Sequence, residues 1–495
     1  MAAIQPVLRM LKNITLSTNR IRQVMILVLW AFTMSGYAQL SMPQVFSSNM
    51  IFQQGVKVPV WGKALPNEII QVVFGEQRLR ARTGTDSCWK VELVPMKATS
   101  EPRELRVIGK QSSITHHNVV VGEVWICSGQ SNMEYTMQLY PGYAQPLKGD
   151  NLAALELRKP ENSQIRIYNC SRNGSKTSWS YANGESLKAS SAAGYFFARA
   201  IQEKLNIPVG IITSAVGGTH IEAWTATSDY RRSSLFAPVL EASGGQIDGQ
   251  IPGTWYDVMI DPLIPYAVKG FLWYQGENNC AKRDTLYAEK YKIMVEGWRE
   301  KFHLQSAPFY YVMLAPHIYS DRLHNKARNA VTAEDLPLFR EEQLQAASIT
   351  GNTDYIVVSD LVDDLKDIHP SYKWEVGRRL AGLALAKTYG ILNTPWSGPR
   401  MKHTRIAGDS IVVTFAHFAD GLKTIDQKRL SWFEIAGPDN QFHPALAEIR
   451  GKNEVIVFHP GIKNPVKVRL GWHETAIPNL VNTDHLPVTP FSTGL

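Results

Sequence analysis

The chain has 495 residues, 44% of them apolar and 19% charged, with a formal net charge of +8. That length allows two to four domains, and the balance is that of a globular protein with a sizeable core, which excludes a disordered chain. Residues 1–38 carry four basic and no acidic side chains, so the remainder is only about +4, with no Lys/Arg block of the kind a nucleic-acid-binding surface needs.

At the front, Arg9, Lys12, Arg20 and Arg22 precede an unbroken apolar run from Val24 to Phe32, and Gly36-Tyr37-Ala38 places small residues at −3 and −1 of a cut after Ala38. This pattern predicts an export signal at 1–38 and a periplasmic or extracellular destination. The run is short of the ~20 residues a membrane span needs, so no stable membrane insertion is expected after cleavage.

Residues 39–119 are predicted to form an N-terminal β domain. Val58–Trp61, Ile69–Phe74 and Trp89–Leu93 are apolar or alternating and are punctuated by Gly, Pro, Asn and Asp, as in a β-sandwich. The rhythm changes over 120–395. Apolar strands at Val124–Cys127, Val209–Thr213, Gly270–Tyr274, Phe309–Leu314 and Tyr355–Ser359 alternate with helical patterns at Ala192–Leu205, Leu286–Phe302, Phe339–Ser348 and Trp374–Tyr389. Alternating β and α units predict an α/β fold, a mostly parallel sheet with helices on both faces. From 396 to 495 strands return at Ser410–Phe415, Glu454–Phe458 and Val466–Leu470, a second flanking sandwich-like region. The thirteen Trp and nineteen Tyr suit sugar-binding clefts and β-rich cores alike, the core being the favoured destination. Cys88, Cys127, Cys170 and Cys280 are too few for a disulfide scaffold and have no metal-ligand spacing; Cys127, on a strand, reads as a small hydrophobe.

In open parallel sheets, ligands bind beyond the carboxyl ends of the strands. The first strand of the middle region is followed by Ser128-Gly129-Gln130-Ser131-Asn132-Met133 and the second by Val216-Gly217-Gly218-Thr219-His220. The third runs into Gln275-Gly276-Glu277, and the last is followed by Lys366-Asp367-Ile368-His369-Pro370. Each piece has a plainer reading: a capping serine, a tight glycine turn, a buried polar pair, a turn histidine. Together they put a nucleophile, a base and N–H donors on one edge. A serine hydroxyl needs a neighbouring base to take its proton, and an attacked carbonyl needs donors already in place for its oxyanion.

On these residues the chain resembles the SGNH/GDSL hydrolases, and within them the sialate O-acetylesterase group. Gly122–Trp125 through Gly129–Glu134 is similar to the nucleophile block, Gly217–Trp224 to the glycine block, Trp273–Asn278 to the third block, and Asp367–Pro370 with Gly377-Arg378-Arg379 to the histidine block. Val58–Gly62, Val468–Trp472 and Leu486–Phe491 extend the likeness over nearly the whole chain beyond residue 38. The resemblance implies Ser131 as nucleophile and His369 as base. It implies an oxyanion hole from the Ser131 amide, a glycine of the Gly217-Gly218 pair and Gln275, where the wider superfamily has asparagine. It also places the acid three residues before the histidine, where this chain has Lys366. Asp367 is the nearest carboxylate, with Asp360, Asp363, Asp364 or a backbone carbonyl as alternatives.

The expected function is therefore hydrolysis of O-acetyl esters on a glycan, sialic acid first and acetylated xylan or a related plant polysaccharide second, with neither metal nor cofactor. A glycosidase built on Glu134 and Glu277 would leave the serine and histidine without a task. A glycan-binding protein with a dead site would not need both.

Overall fold

The computed structural model describes residues 39–138, 146–321 and 331–494; the expected export signal at 1–38 lies outside them. The chain forms two compact units. One contains the stretch ending at Pro43, Val60–Leu93 and Leu105–Thr115; the other contains Gln44–Pro59, Val94–Glu104 and His116–Leu495. The β region expected at 39–119 is thus divided between the units, and the C-terminal strands share the larger unit with the α/β region.

In the smaller unit, Ile69–Phe74 pairs antiparallel with Gln77–Arg82 and with Leu105–Ile108. Ile70, Val72 and Phe74 are buried while their neighbours are not. This is the period-2 alternation of a sheet with one wet face.

The larger unit is built on a sheet whose main path, in chain order, takes β1 (Ser113–Gly129, in this unit from His116 on), β2 (Asn162–Asn169), β3 (Ser180–Ala182), β4 (Val209–Ala215), β5 (Gly270–Tyr274), β6 (Phe309–Val312) and β7 (Thr353–Ile356). Their spatial order is β7-β6-β5-β1-β4-β2-β3. Every pair from β7 across to β2 is parallel, and β3 closes the edge antiparallel to β2. The carboxyl ends of β1, β4 and β5 therefore lie side by side on one edge of the sheet.

Helices α1 (Ser131–Glu134), α2 (Ala192–Leu205), α3 (Glu277–Ala281), α4 (Tyr287–Lys301), α5 (Asp335–Ile349) and α6 (Lys373–Lys387) matter for the site. One face of the sheet packs Trp125, Cys127, Ile211, Leu272 and Tyr310 against Phe197 and Ile201 of α2 and Val376, Leu380 and Leu383 of α6. A Cβ on Gly377 would meet the Ala193 carbonyl oxygen at 2.6 Å, so only glycine lets α6 lie this close to α2. On β5, Phe271 and Trp273 point the other way, into a cluster of rings. Phe271 and Trp273 meet Trp298 of α4 at 5.6 and 6.2 Å, and Phe309 meets Tyr291 at 5.6 Å. Trp125, Trp224, Trp273 and Trp298 are fully buried, so much of the aromatic supply goes into the core.

The C-terminal strands make two four-stranded antiparallel sheets and a two-stranded one of Leu422–Thr424 with Leu480–Asn482. One four-stranded sheet contains Arg400–Ala407, Ser410–Ala416, Glu454–Phe458 and Leu446–Arg450; the other contains Phe442–Pro444, Phe433–Ala436, Lys467–Leu470 and Phe491–Ser492. Val413, Phe415 and Val455 from the first and Ile435, Val468 and Leu470 from the second share one apolar cluster, as in a sandwich. No helix among the described residues is long and apolar enough to cross a membrane. The four cysteines are free thiols. Cys127 is buried on β1, and burial pushes its thiol up to about 12, which keeps it protonated and inert near neutral pH.

Candidate active site

The nucleophile turn is shaped by the approach of β1 to β5. Gly129 has φ +137°, and a Cβ there would lie 2.2 Å from the Tyr274 carbonyl oxygen, so the strand can end this way only with glycine. Gln130 follows, its N–H donating to the same carbonyl at 3.0 Å. Ser131 then opens α1, half-buried, with Asn132 and Met133 behind it in the core.

His369 reaches this turn from the loop before α6. Its Nε2 is 2.9 Å from Ser131 Oγ. Its Nδ1 is 3.3 Å from Asp367 Oδ1, and the same carboxylate oxygen accepts the His369 backbone N–H at 2.9 Å. The side chains of His369 and Asp367 are 17% and 21% exposed, so the ring is walled but reachable. The other candidate acids are engaged elsewhere. Asp360 takes the Arg379 guanidinium at 2.7 and 2.6 Å. Asp363 accepts the Leu147 N–H at 2.8 Å, and Asp364 the Lys366 N–H at 2.9 Å.

The glycine turn packs on the serine. A Cβ on Gly217 would come within 3.3 Å of Ser131 Cβ, and Gly218 adopts φ +73°. The Gly217 N–H, however, donates to Glu134 Oε2 at 2.6 Å, and Glu134 in turn pairs with Arg172. Gln275 departs from its expected place. Its Nε2 donates to the Thr219 carbonyl at 3.2 Å and to Asn279 Oδ1 at 2.7 Å, while its Oε1 accepts from Tyr287 at 3.0 Å. Both of its N–H groups are thus committed to the glycine turn and to α3 rather than turned toward Ser131. Asn278 Nδ2 donates to the Gly218 carbonyl at 2.5 Å, which fixes the turn from the same side.

The two glutamates of the glycosidase reading are also accounted for. Glu134 is spent on Gly217 and Arg172, and Glu277 is 3% exposed and accepts from Asn132 Nδ2 at 2.5 Å. Burial pushes the Glu277 carboxyl up, against the opposing pull of Asn132, His369 and Lys373. Lys373 itself is missing from the sequence reading. It lies in the first turn of a helix, where a lysine normally faces water, and nothing in its spacing marks it as buried. It is 1% exposed, and burial brings its pKa down to about 7, with Glu277 and Asp367 pulling the other way.

Among the described residues, the carboxylates of Glu222, Asp248 and Asp284 come close enough to share a cation. The chain supplies that cation. Lys290 Nζ is 2.7 Å from both Glu222 and Asp284 and also pairs with Asp248. Burial works against this ammonium, yet Glu222 and Asp284 outweigh it and hold its pKa above the ordinary lysine value. Replacing it in Lys290→Met would leave buried carboxylates facing one another. The expected loss is about 3 kcal/mol of stability, to be read from urea unfolding; an unchanged midpoint would show that the cluster does not need its central charge.

A serine hydroxyl held against an imidazole, with a carboxylate beside the ring and backbone amides at the same sheet edge, is the equipment of a carboxylic ester hydrolase. Comparison with known proteins makes the assignment specific. Residues 121–385, more than half of the chain, match the family "Carbohydrate esterase, sialic acid-specific acetylesterase", and the chain belongs to it. It is 27% identical over 428 residues to the sialate O-acetylesterase of Homo sapiens and 25% identical over 435 residues to that of Rattus norvegicus, in each case over 76% of this chain and 76% or 78% of the relative. Among solved structures, a carbohydrate acetylesterase from Xanthomonas citri superposes with TM-score 0.78 at 31% identity, covering 92% of this chain and 99% of that one. The chain is thus a carboxylic ester hydrolase acting on O-acetylated carbohydrate.

Proposed function

We propose that the protein is an exported serine esterase that removes O-acetyl groups from sialic acid through an acetyl-serine intermediate. The 2.9 Å contact between Ser131 Oγ and His369 Nε2 carries the mechanistic part of this reading. Ser131 Oγ attacks the acetyl carbonyl while His369 takes the hydroxyl proton, with Asp367 orienting the ring. The oxyanion is received by the Ser131 and Gly218 backbone N–H groups. Gln275 supports this hole by holding Thr219 rather than by lining it. The tetrahedral intermediate collapses as His369 returns the proton to the departing sugar oxygen, leaving acetyl-Ser131. Water, deprotonated by His369, then releases acetate and restores the serine. Export is supported by the charge and apolar pattern of residues 1–38.

The family and the curated relatives favour sialic acid as the parent sugar. The Xanthomonas citri relative is more similar at 31% and broader in name, which keeps other acetylated glycans, xylan among them, as a second reading. Acetate release from a panel of O-acetylated sialic acids, acetylated xylan and acetylated mono- and oligosaccharides separates them. The expected result is a kcat/KM on O-acetyl sialic acid at least about tenfold above the rest. Equal or faster release from xylan would assign the second reading instead.

A further inference from the structure

Beneath the site, one buried chain of polar side chains joins the three segments that build it. Asn132, next to the nucleophile, donates from Nδ2 to Glu277 Oε1 at 2.5 Å and to the Ile368 carbonyl at 3.0 Å. Its Oδ1 accepts from Lys373 Nζ at 2.7 Å, and Lys373 also donates to the Pro370 carbonyl at 2.5 Å. Ile368 and Pro370 are the two neighbours of His369. The carbonyls on either side of the base are therefore gripped by two side chains that are bonded to each other, one of which belongs to the nucleophile turn.

The placement of Lys373 is costly. Its amine is buried, and it sits in the first turn of α6, the end of a helix that disfavours a cation. The rings of Tyr135 and Tyr274, with centroids 4.6 and 5.4 Å from Nζ, give partial compensation. A leucine or methionine would fill the same space without that cost. What a long amine supplies is the pair of donations to Asn132 and Pro370, together with a charge that Glu277 and Asp367 favour. A neutral amine still has two N–H groups, so the grip survives deprotonation.

We propose that Lys373, acting with Asn132, is a positioning residue: it holds the His369 loop against the nucleophile turn so that Nε2 stays within hydrogen-bond reach of Ser131 Oγ. This rests on the reading of Ser131 and His369 as nucleophile and base. A loop released on one side would let the imidazole drift, and a misplacement of about 1 Å costs up to about a hundredfold in rate.

The test uses the full-length protein with p-nitrophenyl acetate as substrate, and a fluorophosphonate that labels the active serine to count competent sites. Lys373→Met keeps the stem and removes the donor. Asn132→Ala frees the other carbonyl and serves where the first variant folds poorly. Both should titrate, with kcat per titrated site lower by about 10–100-fold and KM within about threefold of the parent. The rate of fluorophosphonate labelling should fall in parallel. A purely structural role would instead lower the number of titratable sites and leave kcat per site unchanged. Both variants within about twofold of the parent in kcat per site would overturn the proposal. Unmodified protein that turns over substrate but is not labelled at Ser131 would overturn the serine reading and this one with it.

Discussion

Ser131→Ala is expected to lower kcat for acetate release by about 10⁴–10⁶-fold while leaving the unfolding midpoint unchanged within a degree or two. The hydroxyl has one polar partner in the described structure, His369 Nε2 at 2.9 Å. Removing it leaves no buried group stranded, because both side chains are partly open to solvent. The loss should therefore lie in chemistry and not in folding. Circular dichroism and a thermal melt alongside the kinetics separate the two. Activity near that of the parent would remove Ser131 from the mechanism.

Asp367→Asn carries the second large effect. The carboxylate has two tasks at one oxygen: it accepts the His369 backbone N–H at 2.9 Å and lies 3.3 Å from His369 Nδ1. An amide in its place keeps an acceptor for the backbone N–H but loses the negative charge that supports an imidazolium as the proton moves. A fall in kcat of about 10²–10⁴-fold with little change in KM is expected. Asp360→Asn should behave differently. Its partner is Arg379, a buried guanidinium, so that change should appear as lost stability. If Asp367→Asn keeps kcat within about twofold, a Ser131–His369 dyad oriented by the backbone would replace the triad.

The sheet and its helices were legible because their signals are local. The helix expected at Ala192–Leu205 spans those residues, and those expected at Leu286–Phe302 and Trp374–Tyr389 lie within two residues of Tyr287–Lys301 and Lys373–Lys387. β1 runs back to Ser113, well before the apolar stretch that announced it; the residues from Ser113 to Asn118 alternate exposed and half-buried and so carry no apolar run. β2 escaped notice because Arg166 sits inside it. That guanidinium is buried, and its Nη1 donates to the carbonyls of Asn118 and Met50, partners remote in sequence that no strand pattern reveals.

The site divides along the same line. Which residues follow each strand can be read from order along the chain, and the fold brings Ser131, His369, Asp367 and the Gly217-Gly218 turn to one place. What each polar group is bonded to cannot be read that way. Gln275 has the right type and position for an oxyanion donor, yet Tyr287, Asn279 and Thr219 take its hydrogen bonds. Lys373 has the sequence context of a surface residue and lies in the core because the Pro370 carbonyl and the side-chain oxygen of Asn132 await it there.

The proposed reaction passes through a covalent acetyl group at Ser131. The most direct measurement is rapid acid quenching of the enzyme during turnover of an activated acetyl ester, followed by peptide mass spectrometry. The expected result is a single acetyl group on the peptide carrying Ser131, absent from Ser131→Ala and lost when substrate is exhausted. Steady turnover with no acetylation of that peptide, or acetylation at another residue that persists in Ser131→Ala, would contradict it.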